Sequence, residues 1–166
     1  MVKKFFIILF IFVSGLNVYS YFILPDTVAI HFDRYGFPDD YASRWIHVLF
    51  LQILYVFFFA LFYYMPVWVF KFPARWINLP NKGFWLQARQ KPLTQRKLGG
   101  LSCEMGIYLY LFLFYINLIA IEANLRMTME LNMVRFFIAL FVFLFLVVYW
   151  NVKLLFTFKT PKQISS

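Results

Sequence analysis

The chain is poor in the residues that soluble domains use on their surfaces. Charged residues make up 14% of its 166 positions, against about 25% in an ordinary globular domain. One cysteine, Cys103, rules out a disulfide-stapled secreted fold. Acids are scarcer still: seven Asp and Glu stand against sixteen Lys and Arg. What is abundant is hydrocarbon. The hydrophobic class reaches 63% and Phe alone accounts for 24 residues, which excludes intrinsic disorder and exceeds what one small soluble core can bury. The length fits one domain and the composition fits an integral membrane protein.

Crossing a hydrocarbon layer of about 30 Å takes about 20 mostly apolar helical residues. Four stretches qualify, at 5–24, 45–70, 101–121 and 134–156. None shows the sustained alternation of a barrel strand, and each is too long to be one. The first also has the basic start and apolar middle of a signal peptide, ending at Val18-Tyr19-Ser20. Its apolar character continues through Leu24, so a retained span is expected. The sequence thus predicts an all-α fold of four transmembrane helices forming a single domain over 1–166.

The net charge of +9 suggests nucleic acid at first sight, but its distribution argues otherwise. Lys3 and Lys4 precede the first span, seven basic residues and no acid lie within 71–100, and Lys153, Lys159 and Lys162 end the chain. Twelve of the sixteen basic residues therefore fall in alternate segments. The loops 25–44 and 122–133, with their flanks, hold Arg34, Arg44, Arg126 and Arg135 against six acids. With Glu104 counted on the first side, the split is +11 and −2. The positive-inside rule then predicts both termini and the 71–100 loop in the cytoplasm, with the other two loops outward.

The first outward loop has a patterned sequence. Val28, Ile30 and Phe32 alternate with Ala29, His31 and Asp33, followed by the turn residues Gly36 and Pro38-Asp39-Asp40. A turn, a short strand and a second turn are expected. Leu24, Pro25, Ile30, His31, Phe32, Asp33, Gly36, Pro38, Asp39 and Tyr41 resemble the pattern of a bacterial membrane domain family of unknown function. That family is shared with the N-terminus of immunity proteins for the sporulation-delaying toxin. Ala29 stands where Pro is usual, and Phe37 where a polar residue is usual. A second segment, Asn78-Leu79-Pro80-Asn81-Lys82-Gly83-Phe84-Trp85, is similar to the cytoplasmic signature of short members. The resemblance implies four spans and no established chemistry; immunity belongs to longer relatives.

Several residues are candidates for chemistry. His31 and Asp33, two apart in an extended segment, with Asp39, Asp40 and His47 nearby, form a candidate binding set and a weak candidate metal site. The competing reading makes the acids turn caps and His31 a packed or hydrogen-bonded loop residue, and a lone loop histidine favours it. Cys103 is predicted at the opposite end from both histidines, which excludes a thiol–imidazole pair. No nucleophile-elbow, zinc-protease or phosphate-loop motif occurs, so neither catalysis nor a cofactor is expected.

Among the polar span residues Asn17, Gln52, Asn117 and Glu104, Asn17 and Asn117 are expected to form interhelical hydrogen bonds, and Glu104 to pair with Arg96 or Lys97. Residues 71–100 mix cations with aromatic side chains, a composition compatible with single-stranded nucleic acid. Tethered by spans on both sides, the loop is better placed to lie on anionic lipid, with Arg75, Trp76, Lys82, Trp85 and Arg89 facing the membrane. Pro80, Gly83 and Pro92 limit it to short helical pieces, and Thr94 is a candidate N-cap for the third span. The sequence thus points to a non-enzymatic protein that binds a protein partner or toxin through its outward loop. The alternatives are an accessory subunit of a larger membrane complex and an outward-facing metal-dependent enzyme or transporter.

Overall fold

A computed structural model describes residues 1–159; Lys162 lies outside the described residues. The chain is predominantly helical. The long helices are α1 (Val2–Ile23), α2 (Arg44–Trp68), α4 (Lys91–Asn124) and α5 (Met133–Thr157). All four are long and apolar enough to cross a membrane, α2 with the 3-10 turn that prolongs it to Lys71. Between α1 and α2 lies a two-stranded antiparallel hairpin, β1 (Thr27–Phe32) and β2 (Pro38–Ser43). The second strand is a correction: Pro38-Asp39-Asp40 had the composition of a turn and forms the start of a strand instead. Pro at a strand's first position is compatible with the ladder because it need not donate there.

Helices α1, α2 and α4 pack against one another, and α5 packs on α4. The core at the centre of the first three contains Phe6, Leu9, Val13, Tyr55, Cys103 and Tyr110. Phe6 reaches the α4 backbone because position 106 is glycine. A Cβ there would lie 2.6 and 2.8 Å from the Phe6 ring. Removing that one carbon lets the two helices approach closely, as small residues do between membrane helices. Pro66 sits inside α2 and lacks the N–H that would bond the Phe62 carbonyl. The Ser102 hydroxyl on α4 donates to that carbonyl at 2.7 Å, which satisfies it inside an apolar region.

The polar residues of the spans behave unequally. Asn17 is fully buried and its Nδ2 donates to the Val48 carbonyl and to Gln52 Oε1, joining α1 to α2 as expected. Asn117 of α4 meets the side chain of Tyr55 on α2, although its Oδ1, like that of Asn17, has no partner. Glu104 pairs with Lys153 of α5 at 2.7 Å and accepts from Tyr108, instead of pairing with Arg96 or Lys97. Those two residues lie about two turns away along the same helix, beyond side-chain reach.

The third span also begins earlier than its hydropathy. Helix α4 starts at Lys91, with Pro92 in its first turn, so ten residues assigned to the basic loop are helical. Thr94 is therefore not an N-cap; its hydroxyl donates to the Trp85 carbonyl at 2.7 Å. The shortened loop contains one 3-10 turn (Ala74–Trp76) and the four-residue helix α3 (Lys82–Trp85), consistent with the limits set by its prolines and Gly83. It docks on the end of α5. Asn81 Nδ2 and Trp85 Nε1 both donate to the Phe158 carbonyl at 2.8 Å, and Lys97 Nζ donates to the Thr157 carbonyl. These donors cap carbonyls that the end of a helix leaves without partners.

Candidate functional site

The site is built at the hairpin end of the bundle. Strand β1 does not keep the expected alternation: Val28 and Ala29 are both buried, and Ile30 is exposed. Register shifts between Ala29 and Phe32 rotate successive side chains out of the period-two pattern, as β-bulges do. At the buried end, Asn124 of α4 holds Ala29 by both backbone groups. The Ala29 N–H donates to Asn124 Oδ1 at 2.7 Å, and Asn124 Nδ2 donates to the Ala29 carbonyl at 3.1 Å. A side-chain amide thus takes the place of a third strand.

Asp33 closes the hairpin turn. Its Oδ1 accepts the backbone N–H of Tyr35 at 2.8 Å and of Phe37 at 2.9 Å, an Asx-type arrangement that fixes the loop. Gly36 adopts φ +94° and its carbonyl accepts the Leu131 N–H at 2.9 Å. A Cβ at position 36 would collide with the Leu131 carbonyl, so both conformation and space require glycine here. The hairpin is therefore braced at two points, by α4 and by the α4–α5 connection.

The predicted site residues part company. His31 Nδ1 meets Asp39 Oδ1 at 2.5 Å across the strands, on an exposed surface. Asp40 accepts from the Tyr41 N–H, next to it in the chain. His47 lies in the first turn of α2 and lines a cavity with His31 and Asp33. Thus His31, Asp33 and His47 share one space, Asp39 reaches it through His31, and Asp40 stands apart. Among the described residues no group of three or more His, Cys, Asp or Glu is placed to hold a metal ion. Cys103 is buried in the bundle core, among Phe6 and Tyr110, and does not line this cavity.

The cavity, of about 450 Å³, runs under the hairpin between α2, α4 and the start of α5. His47, Leu51 and Tyr55 line it from α2 at a spacing of four, and Leu113, Ile116, Asn117 and Ala120 line it from α4. Both sets are single helix faces. The sequence reading missed Tyr55 and Asn124. The available signal was the spacing of Asn117, Ala120 and Asn124, which puts two amides on one stripe of an otherwise apolar helix.

At the opposite end, Arg75, Trp76, Lys82 and Arg89 are exposed. Trp85 is not lipid-facing, a further correction. It is buried edge-on against Phe158, with the Lys97 ammonium 4.4 Å from its ring centroid. Its N–H needs an acceptor away from water, and the end of α5 supplies one.

No curated protein matches the chain, and no solved structure matches it. A family model described as Domain of unknown function (DUF1648) matches residues 7–56, which comprise most of α1, the whole hairpin and the first half of α2.

Proposed function

We propose that the protein is a non-enzymatic, multi-pass protein of the bacterial inner membrane that binds a protein partner or toxin through its hairpin. The hairpin end faces outward and the basic end lies on the anionic cytoplasmic leaflet, a reading supported by the distribution of Lys and Arg. The proximity of Lys3 to Arg96 and Gly99, and of the 78–85 segment to Phe158, supports this topology by gathering the basic segments at one end.

The observation that carries the binding reading is the hairpin's surface. Tyr35, Phe37 and Tyr41 are 65%, 51% and 49% exposed, the first two on a turn held by Asp33 and by Leu131 and the third on β2. Aromatic side chains on a fixed backbone give large contact area with little ordering entropy, which is what binding surfaces use. The His31–Asp39 pair beside them adds polar groups with a set geometry.

The test is complementation of a strain lacking the locus. Tyr35→Ser, Phe37→Ser and Tyr41→Ser together should leave the membrane level of the protein unchanged and abolish the phenotype. Full complementation by the triple variant would sink the reading. Labelling of Tyr35→Cys in intact spheroplasts by a membrane-impermeant maleimide checks the orientation; an unreactive thiol there would invert it.

A second reading, as a subunit of a larger membrane assembly, rests on α5. That helix packs on α4 and leaves large apolar side chains such as Phe141, Phe145 and Val148 exposed over its length. A monodisperse species of about 20 kDa protein mass after gentle extraction would exclude it.

A further inference from the structure

We infer that the cleft between the basic ends of α1, α2 and α4 is a binding site for a phosphate group carried by an anionic phospholipid. Charge sets the sign of the ligand. Six of the seven acids belong to the hairpin end, and the seventh, Glu104, is held at both oxygens by Lys153. Lys3 of α1 and Arg96 of α4 line the cleft together, with Gln95 and without any acid. Among the described residues neither cation belongs to an ion pair. Two positive charges in one cleft repel unless an anion joins them, and no acid at this end is left to do so.

Packing places both cations. Gly99 is buried and Lys3 crosses it: a Cβ at position 99 would lie 3.6 Å from Lys3 Cε. Arg96 stands three residues before Gly99, one turn along the same face of α4. Tyr63 of α2 holds the Lys3 ammonium from another side, 5.3 Å from its ring centroid. A guanidinium fork beside a point charge suits the several oxygens of a phosphate. The volume of about 490 Å³ leaves room for a small headgroup.

Depth points to the carrier. Lys3 precedes Phe5, the start of the first apolar run, by two residues, or about 3 Å of helix. Arg96 precedes Leu101, the start of the third, by five residues, or about 8 Å. Both are headgroup depths, since that layer is about 5–8 Å thick on each side of the hydrocarbon. Val67, at the edge of the cleft, is 48% exposed, and Tyr64 and Leu61 continue its face of α2 into the bilayer. They offer an acyl chain apolar surface continuous with the cleft. A headgroup with its own ammonium would add a third cation, which favours phosphatidylglycerol over phosphatidylethanolamine. The site rests on the reading of the basic end as lying on anionic lipid, and gives that diffuse attraction one defined position.

The experiment uses the full chain in phosphatidylcholine nanodiscs containing a minority of phosphatidylglycerol, with retained lipids counted by native mass spectrometry. The protein should keep one phosphatidylglycerol per chain, and phosphatidylethanolamine offered in its place should be lost. Lys3→Gln or Arg96→Gln alone should lower retention about threefold and the pair about tenfold, as expected for partly hydrated charge contacts. Arg96→Lys keeps the charge and should lose less than Arg96→Gln, which separates charge from any damage to folding. Lys71→Gln with Lys159→Gln removes two exposed charges outside the cleft and should leave retention unchanged. Equal loss in that control, equal retention of phosphatidylethanolamine, equal loss in Arg96→Lys and Arg96→Gln, or no loss in the Lys3 and Arg96 pair would each overturn the site. Excess glycerol phosphate should fail to displace the lipid; displacement would assign a soluble phosphate ester and overturn the lipid. Nanodiscs present the same lipids on both faces, so a failure here refutes the site, whereas the Tyr35→Cys labelling alone judges the topology.

Discussion

Asn124 is the strongest single brace between hairpin and bundle, and its removal has a calculable outcome. Its amide makes three bonds: it accepts from the Ala29 N–H and donates to the carbonyls of Ala29 and Ala120. Ala29 is 1% exposed, so Asn124→Leu strands two buried backbone groups on a residue that water does not reach. Each stranded group destabilises by about 1–3 kcal/mol, giving about 2–6 kcal/mol for the pair. Asn124→Ala is the informative comparison. It loses the same bonds but leaves space through which water can reach both groups, so its effect should fall at or below the low end of that range. Amide hydrogen exchange of residues 27–43 reads the result. Asn124→Leu should speed exchange through the hairpin by two to four orders of magnitude, about 1.4 kcal/mol each, while α1 and α2 keep their protection. Unchanged hairpin protection in Asn124→Leu would refute the clamp.

Three further outcomes follow from packing. Gly106→Ala should destabilise the bundle by about 1–3 kcal/mol in a denaturation series, since its methyl group meets the Phe6 ring; Phe6→Leu should restore part of that, and additivity of the two would disprove the contact. Lys153→Met should be more harmful than Lys153→Met with Glu104→Gln, because the single change strands a carboxylate that is largely enclosed; thermal unfolding in nanodiscs ranks them. Trp85→Phe should raise proteolysis after Phe158 without changing membrane insertion, as it frees one of the two donors on that carbonyl.

The legible part of the fold was the part written in hydrophobicity. Four runs of apolar residues imply four helices because lipid gives the backbone no other partner. Helix α4 exceeded its run because Lys91, Arg96 and Lys97 are good helix formers that hydropathy counts as loop. Strand β2 escaped notice because Pro38-Asp39-Asp40 carries turn composition, and its pairing is set by β1 across Asp33 and Gly36, a tertiary circumstance. Asp33 was correctly weighed as a turn former, whereas Asp39 and Asp40 lie in β2. Trp85 was misplaced for a different reason. An indole suits both a headgroup layer and a buried niche with one acceptor, and only the distant Phe158 carbonyl decides between them.

The residues matching the family model form a partly self-sufficient unit, in which Asn17 ties α1 to Val48 and Gln52 of α2. Its hairpin is not self-sufficient. Ala29 leans on Asn124 and Gly36 on Leu131, both outside residues 7–56. An isolated two-stranded hairpin is marginal in water, so the shape shown by Tyr35 and Phe37 depends on α4 and on the connection to α5. The cavity is bounded by these same parts, with Ile30 and Phe32 as its roof and Leu131 and Met133 at its side. A molecule filling the cavity therefore touches both the hairpin and one of its braces. Any change it makes in the affinity of whatever binds the hairpin's outer face must be matched, with equal magnitude, by that ligand's effect on its own affinity.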